Sequence, residues 1–362
     1  MSRQGAVVCG YYGFANAGDE AVLAGLVHGL RRAGYSEHLT VLSANPAYTE
    51  REHGVQAILR TSLQVIWRAM RRARLFVLGG GSLLQDVTSA RSVVYYLGMH
   101  VLARRAGCRI AWIGQGIGPL RRGWARRWVA RTAEGAETIV VRDPASADLL
   151  RTMGVSRVQV GADLSFLLPE ADIEYGWQVL QGAGVCRDDA LIALAPRRWA
   201  GAGADVDALL ADLMQYARQE WGARALLLAM QPSRDDEIVR KIAAEVPEAI
   251  VPAQPLSVRD IQSVLACCQV VIGVRLHALM LAAASGIPAL ALSYDPKVRA
   301  FWEQVAPEYV VEPQAMSAQT LRERLNSIWE ERQALRKRVG EFAEGQRHLA
   351  ERNISALFAL VR

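Results

Sequence analysis

Short apolar runs recur along this chain, each followed by a stretch of helical periodicity, and no other feature narrows the possible folds as much. Strand-like segments at Gly5–Cys9, Leu39–Leu42, Leu75–Leu78, Arg109–Ile113 and Thr138–Val141 alternate with amphipathic stretches such as Asp19–Arg32 and Leu63–Arg72. After Pro169 a second series begins, with strands at Leu191–Leu194, Ala225–Ala229, Val270–Ile272 and Pro288–Leu292 and helices at Val206–Glu220, Arg234–Glu245 and Arg259–Ala266. Runs this short at βα spacing predict mostly parallel sheets covered by helices on both faces, an α/β class built from doubly wound, Rossmann-like domains. A length of 362 residues suits two cores rather than one. Periodicity breaks at Leu167–Asp172, which sets expected domains of 1–168 and 172–344. The chain ends in a charged helix from Leu321 to about Arg352, followed by an apolar Ile354–Val361 segment.

Five cysteines, with no C-x-x-C spacing among them, point to neither a disulfide framework nor a zinc site. No cluster of His, Asp and Glu has metal-ligand spacing, so no metal is called for. Gly5 leads straight into Ala-Val-Val-Cys without the longer apolar core of a leader peptide, and no run of about 18 apolar residues occurs, so a cytoplasmic protein is expected. The formal charge of +6 is unevenly placed: residues 60–131 hold fourteen arginines and a single acid, Asp86, and carry +13, whereas the other 28 basic and 35 acidic residues carry −7. Tryptophans interleave with these arginines in Trp67–Arg74 and Leu120–Arg131. That mixture suits an anionic membrane surface better than a nucleic acid, and places the protein peripherally on the inner face of the cell membrane.

Candidate chemistry lies where strands end. The turn Gly10–Glu20 contains Asn16, Gly18, Asp19 and Glu20; it lacks the G-x-G-x-x-G spacing of a dinucleotide site, and Asn16 or Asp19 also serves as a helix cap in a purely structural reading. Gly79-Gly80-Gly81-Ser82 and Gln115-Gly116-Ile117-Gly118-Pro119 follow the next strands and are expected to be βα turns. Together the three suggest a phosphate- or sugar-binding rim beyond the strand ends. Arg142 ends another strand, with Asp143 and Pro144 opening a helix. In the second half, Arg275-Leu276-His277 opens an almost wholly apolar helix, so a permanent charge enters a buried segment and requires an anion. Arg197 and Lys297 end the neighbouring strands.

At these positions the sequence resembles the polysaccharide pyruvyl transferase family. Gly10–Glu20, Gly79–Ser82, Gln115–Pro119, Arg142-Asp143 with Ser146, Gly161-Ala-Asp163, Arg275-x-His277 and Tyr294-Asp-Pro-Lys297 occur in the family's order, the last two being the most specific. The resemblance implies a glycosyltransferase-B-like fold of two facing α/β domains: an acceptor domain at 1–168, onto which 345–362 packs back, and a donor domain at 172–344. It implies phosphoenolpyruvate as co-substrate, with no further cofactor. The branch it looks most like forms a 4,6-pyruvate ketal on N-acetylmannosamine of a lipid-diphosphate-linked precursor of a secondary cell wall polymer, of the kind that anchors surface layers. Arg275, His277 and Arg142 would be catalytic. The donor would be held by Arg275, Leu276, His277, Arg142, Arg197 and Lys297, a set of cations matched to a phosphate plus a carboxylate. The acceptor would be held by Asn16, Gly18, Asp19, Glu20, Gly80, Gly81, Ser82, Gln115 and Gly116, with Asp19, Glu20 or Asp163 as the base. The competing readings are a nucleotide-sugar glycosyltransferase of the same architecture and a non-catalytic membrane scaffold.

Overall fold

The computed structural model describes residues 3–87, 89–199, 206–253 and 255–361; Met1 and Ser2, where the N-terminal reading begins, lie outside that set. The chain divides into two compact units, Met1–Pro169 with Gly345–Arg362, and Glu170–Glu344. Each is an α/β unit built on a parallel sheet.

In unit 1 the order is β1 (Ala6–Tyr12), α1 (Ala17–Arg32), β2 (Leu39–Ser43), α2 (Pro46–His53), β3 (Gln56–Leu59), α3 (Leu63–Arg72), β4 (Leu75–Leu84), α4 (Ala90–Ala106), β5 (Arg109–Ile117), α5 (Gly123–Ala133), β6 (Thr138–Val141), α6 (Pro144–Thr152) and β7 (Gln159–Val160). The strands lie in the order β3-β2-β1-β4-β5-β6-β7, so the winding reverses between β1 and β4. One face of the sheet presents Phe76, Leu78, Ile110 and Trp112 to a core shared with Ile66, Met70, Val93, Leu97, Ala125 and Val129 of α3, α4 and α5. On the other face α1 comes so close to the chain after β7 that a Cβ on Gly25 would collide with the carbonyl of Leu164.

Two glycine segments expected to be turns lie inside strands. Gly79–Ser82 belongs to β4 and Gln115–Ile117 to β5, and their pairing continues through Gly81↔Gln115 and Leu84↔Ile117 after a register shift. Gly80 and Gly81 have φ of +67° and +78°, values an L side chain rarely adopts, so these glycines let the strand bend and carry on. The edge strand β3 had no expectation in the sequence.

Unit 2 runs α7 (Ile173–Gln181), β8 (Leu191–Ala195), α8 (Val206–Trp221), β9 (Arg224–Leu227), α9 (Pro232–Glu245), α10 (Val258–Ala266), β10 (Val270–Gly273), α11 (Leu276–Ala284), β11 (Ala289–Leu292), α12 (Pro296–Trp302) and β12 (Val310–Val311). Its sheet order is β12-β11-β10-β8-β9, and here the reversal falls between β8 and β10.

The last helix, α13, is continuous from Ala318 to Val361 rather than stopping near Arg352. Ile354, Leu357 and Leu360 keep a three-residue apolar spacing, so the tail continues the helix that buries them. Its final turns belong to unit 1. There the Asn353 side chain accepts from the Gly114 amide at 2.9 Å and donates to the Ala162 carbonyl at 3.1 Å. Arg74 and Arg109 donate to the terminal carbonyls of Val361 and Leu360 at 2.6 and 2.7 Å, satisfying acceptors that a helix end leaves open. Among the described residues no helix is long and apolar enough to cross a membrane.

Behind β5 the Trp112 indole donates to Nδ1 of buried His100 at 3.0 Å, which requires a neutral imidazole. Burial, then the charge of Arg104, lowers the His100 pKa from 6.5 to about 4. Between those values the unfolded chain binds the proton and the folded chain does not, so stability rises with pH across that window. Urea unfolding at pH 4.5 and pH 7 is expected to show an acid loss, with His100 contributing up to roughly 3 kcal/mol, that shrinks in His100→Gln, which keeps an acceptor without the charge.

Candidate active site

In a parallel sheet every strand delivers its carboxyl end to the same edge, and ligands collect there at the point where the winding reverses. In unit 2 that point lies between β8 and β10, whose ends carry Arg197 and the Arg275-Leu276-His277 segment. Arg275 is the N-cap residue of α11 and is 7% exposed. Its Nη2 donates to Oδ1 of Asp235 at 2.5 Å, and Asp235, fully buried in the first turns of α9, also accepts from the Gln231 amide at 2.8 Å. The Arg275 Nε is buried and has no hydrogen-bond partner among the described residues. The first turn of α11 has no side-chain cap, so the positive end of the helix lies beside the guanidinium.

Arg197 is half-buried, and burial followed by the charge of Arg275 pushes its pKa down. It lies 5.4 Å from the centroid of Tyr294, whose ring stacks on Trp199. Arg198 turns away to ion pairs with Asp207 and Glu237. Lys297 is half-buried in the first turn of α12, where its amide donates to the cap residue Asp295 at 3.0 Å. The unit 2 edge thus brings Arg197 near Arg275 and its buried carboxylate, Asp235, with His277 in the first turn of α11 and Lys297 in the first turn of α12. That surplus of positive charge in a poorly solvated site is suited to a small multiply charged anion.

The other expected residues lie in unit 1. Arg142 is 6% exposed and fully engaged: Nη1 donates to Asp163 at 3.0 Å, Nη2 to Ser82 Oγ at 3.0 Å and Nε to Asp143 at 3.4 Å. Gly116 passes directly beneath it, since a Cβ there would sit 2.7 Å from the Arg142 Nε. Gln115 donates to the carbonyls of Leu78 and Gly80, leaving its own buried carbonyl oxygen without a partner among the described residues. Asn16 caps α1 through the Gly18 amide, and Asp19 is half-buried with its carboxylate beside Gly81. Glu20 is 1% exposed and held by the Gly13 amide at 2.8 Å and His53 at 2.9 Å, which fixes the Gly10–Glu20 turn and occupies both its oxygens. Ser146 of α6 accepts from the Ile117 amide at 2.9 Å and joins the β5 and β6 ends.

A family model described as polysaccharide pyruvyl transferase matches residues 16–296, more than half of the chain. The chain belongs to the polysaccharide pyruvyl transferase family. It is a transferase whose role is pyruvyl transfer to a polysaccharide. No curated protein matches it significantly. Among solved structures, this transferase is similar to UDP-GlcNAc 2-epimerase from Neisseria meningitidis bound to UDP-GlcNAc, with a TM-score of 0.64 and 12% identity over 98% of this chain and 100% of the other. It is also similar to HepE of Anabaena in complex with UDP-glucose, with a TM-score of 0.65 and 14% identity over 99% of this chain and 100% of the other. At such identities the likeness is one of fold, and the fold is of the glycosyltransferase-B type.

Two features of the transferase escaped the sequence reading. One is Asp235, the counter-charge of Arg275, which stands 40 residues earlier in the chain. The other is Arg60 at the end of β3, whose guanidinium lies over the rings of Tyr95, Phe14 and Tyr96 at 4.3, 5.1 and 5.7 Å. Among the described residues no three His, Cys, Asp or Glu side chains are grouped to hold a metal ion.

Removing Asp235 leaves the buried Arg275 guanidinium without its carboxylate. Asp235→Ala is expected to lower stability by about 3 to 5 kcal/mol in urea unfolding, with Asp235→Asn, which keeps a hydrogen-bonding oxygen, losing less.

Proposed function

We propose that the transferase moves the enolpyruvyl unit of phosphoenolpyruvate onto a sugar of a lipid-diphosphate-linked cell-wall glycan precursor, forming a 4,6-ketal on N-acetylmannosamine and releasing phosphate. The observation that carries this reading is the pair Arg197 and Arg275 beside the buried carboxylate of Asp235 at the unit 2 switch point, with His277 in the first turn of the helix that Arg275 opens and Lys297 at the start of the next helix. Phosphoenolpyruvate carries a phosphate and a carboxylate, and guanidinium forks bind both groups bidentately. His277 delivers a proton to the methylene carbon, leaving an oxocarbenium-like centre at the adjacent carbon. One sugar hydroxyl adds there and loses its proton, phosphate departs, and the second hydroxyl adds to the same carbon and loses its own. One released proton replaces the one used at the methylene, and the other leaves with the phosphate. The unit 1 edge, with Asn16, Gly18, Asp19, Gly80, Gly81, Ser82, Gln115 and Gly116, holds the acceptor. Arg142 acts there through its bonds to Ser82 and Asp163.

The test is incubation with phosphoenolpyruvate and a synthetic lipid-linked disaccharide containing N-acetylmannosamine. The acceptor's mass should rise by one pyruvate ketal with equimolar phosphate release, and His277→Ala or Arg275→Gln should slow the reaction on the order of 100-fold or more. Turnover of a nucleotide sugar with no ketal formed would move the protein to the ordinary glycosyltransferases.

The same reading places the protein on the inner face of the cell membrane. The helices α3, α4 and α5 each begin at the carboxyl edge of the unit 1 sheet, and there Leu63 is 60% exposed, Val94 47%, Val87 48%, Trp67 37% and Trp124 39%. Arg68, Arg91, Arg121, Arg122 and Arg127 are exposed in the same segments. In flotation with phosphatidylglycerol vesicles, the double variant Trp67→Ser/Trp124→Ser is expected to lose most of the bound fraction, as is wild-type protein in 0.5 M salt, where charge attraction is screened within about 5 Å. Equal binding to neutral vesicles would refute an electrostatic attachment.

A further inference from the structure

Arg60 stands out among the fourteen arginines of the basic segment. Its amide donates to the Ser43 carbonyl at 2.9 Å and the Tyr95 hydroxyl donates to its carbonyl at 2.9 Å, so its backbone is fixed at the end of β3. Its guanidinium is enclosed by the rings of Phe14, Tyr95 and Tyr96. It forms no ion pair among the described residues, and its Nη1 is buried without a hydrogen-bond partner. A permanently charged group so placed gives up hydration that ring faces only partly replace, whereas a leucine or methionine would pack among those rings without that cost. Tyr95 and Tyr96 meet part of its hydrogen-bonding capacity, but no acceptor meets Nη1 and no carboxylate balances the charge among the described residues, a demand that an anion would fill.

The surroundings indicate which one. On either side of Arg60 in the chain, Leu59 and Leu63 are 45% and 60% exposed, at the edge of the apolar and basic face. Phe14, one of the rings against its guanidinium, belongs to the Gly10–Glu20 turn of the proposed acceptor edge and stacks on Tyr11 at 4.1 Å. Arg60 therefore adjoins both exposed apolar side chains suited to lipid and a turn of the rim suited to sugar, as the binding group for a phosphate joining the two would have to.

We propose that Arg60, framed by Phe14, Tyr95 and Tyr96, is the binding subsite for the diphosphate of the lipid-linked acceptor. This rests on the acceptor class proposed above, and its first test does not depend on activity. Wild-type protein is treated with phenylglyoxal, and adduct formation at Arg60 is followed by peptide mass spectrometry, with exposed Arg157 as the control. Inorganic pyrophosphate is expected to slow modification of Arg60 at least fivefold and leave Arg157 unaffected. Phosphoenolpyruvate or phosphatidylglycerol vesicles at matched phosphate should protect less. Equal rates with and without pyrophosphate would overturn the subsite. Stronger protection by phosphoenolpyruvate would assign Arg60 to the donor instead, and stronger protection by vesicles would assign it to lipid headgroups.

In the second test, Arg60→Gln, with folding checked by thermal melting, is expected to raise the KM for a diphosphate-linked acceptor at least tenfold relative to that for the phosphate-free methyl glycoside, with Arg60→Lys intermediate. An unchanged ratio would remove the subsite and leave the transfer reaction standing. Pyrophosphate protection in a protein that pyruvylates neither acceptor would do the reverse.

Discussion

Parallel strand pairing is the constraint on which the rest of this molecule depends. Each strand of both sheets runs in the same direction as its neighbours, so every crossover returns the chain to the starting edge and every strand ends at the opposite one. Polar residues that would be costly in the middle of a buried sheet become tolerable where strands stop and helix N-termini begin. Arg60, Arg142, Arg197 and Arg275 all occupy such positions. At the winding reversals, adjacent crossovers diverge to opposite faces and leave the edge open, which is why the glycine-rich ends of β1 and β4 in unit 1 and the arginine-bearing ends of β8 and β10 in unit 2 fall where they do.

Two buried guanidiniums illustrate different uses of that edge. Arg142 spends all three of its bonding directions on Asp163, Asp143 and Ser82, so its charge is matched and its geometry fixed. Arg275 has one carboxylate and an unused Nε, and Arg197 lies close enough that, after burial, the charge of Arg275 lowers its pKa. The first arrangement braces the β4, β6 and β7 ends against one another. The second retains an electrostatic demand that a bound anion meets, and this difference follows from how many acceptors surround each side chain.

Much of the architecture was legible because central strands of a parallel sheet are buried on both faces and read as apolar runs; β1, β4, β5, β6, β8 and β10 all did, and β2 did with only Thr40 interrupting. The edge strand β3 did not, since its Gln56 and Leu59 are exposed and its residues form no such run. Glycine was misread in one particular way: Gly79–Ser82 and Gln115–Ile117 were expected to end their strands, but backbone pairing persists through positive-φ glycines that bend a strand without breaking its ladder. Arg275 could be found as a charge in an apolar helix. Asp235 could not, because its partner is fixed only when the chain crosses from β9 over β8 to β10. Arg60 was concealed by the thirteen arginines around it, and only the fold brings to it rings from two other elements.

The basic segment also acquires a physical logic from the fold. Its single acid, Asp86, is 4% exposed, and although burial alone would raise its pKa, the amides of Arg121 and Arg122 hold it below the usual carboxylate range at 2.8 and 2.7 Å. The carboxylate is thus consumed in anchoring the turn before α5 to the end of β4. The guanidiniums of that turn remain exposed. Because α3, α4 and α5 all start at the carboxyl edge, Arg91, Arg121 and Arg122 with the exposed Leu63 and Trp124 lie on the side of the glycine-rich rim, whereas Arg71, Arg72, Arg104, Arg105 and Arg131 lie in the last turns at the other end of those helices. One strand direction therefore sets a cationic, partly apolar surface next to a glycine-rich rim. An amphiphile with a lipid tail, an anionic joint and a sugar head has the same sequence of chemistries.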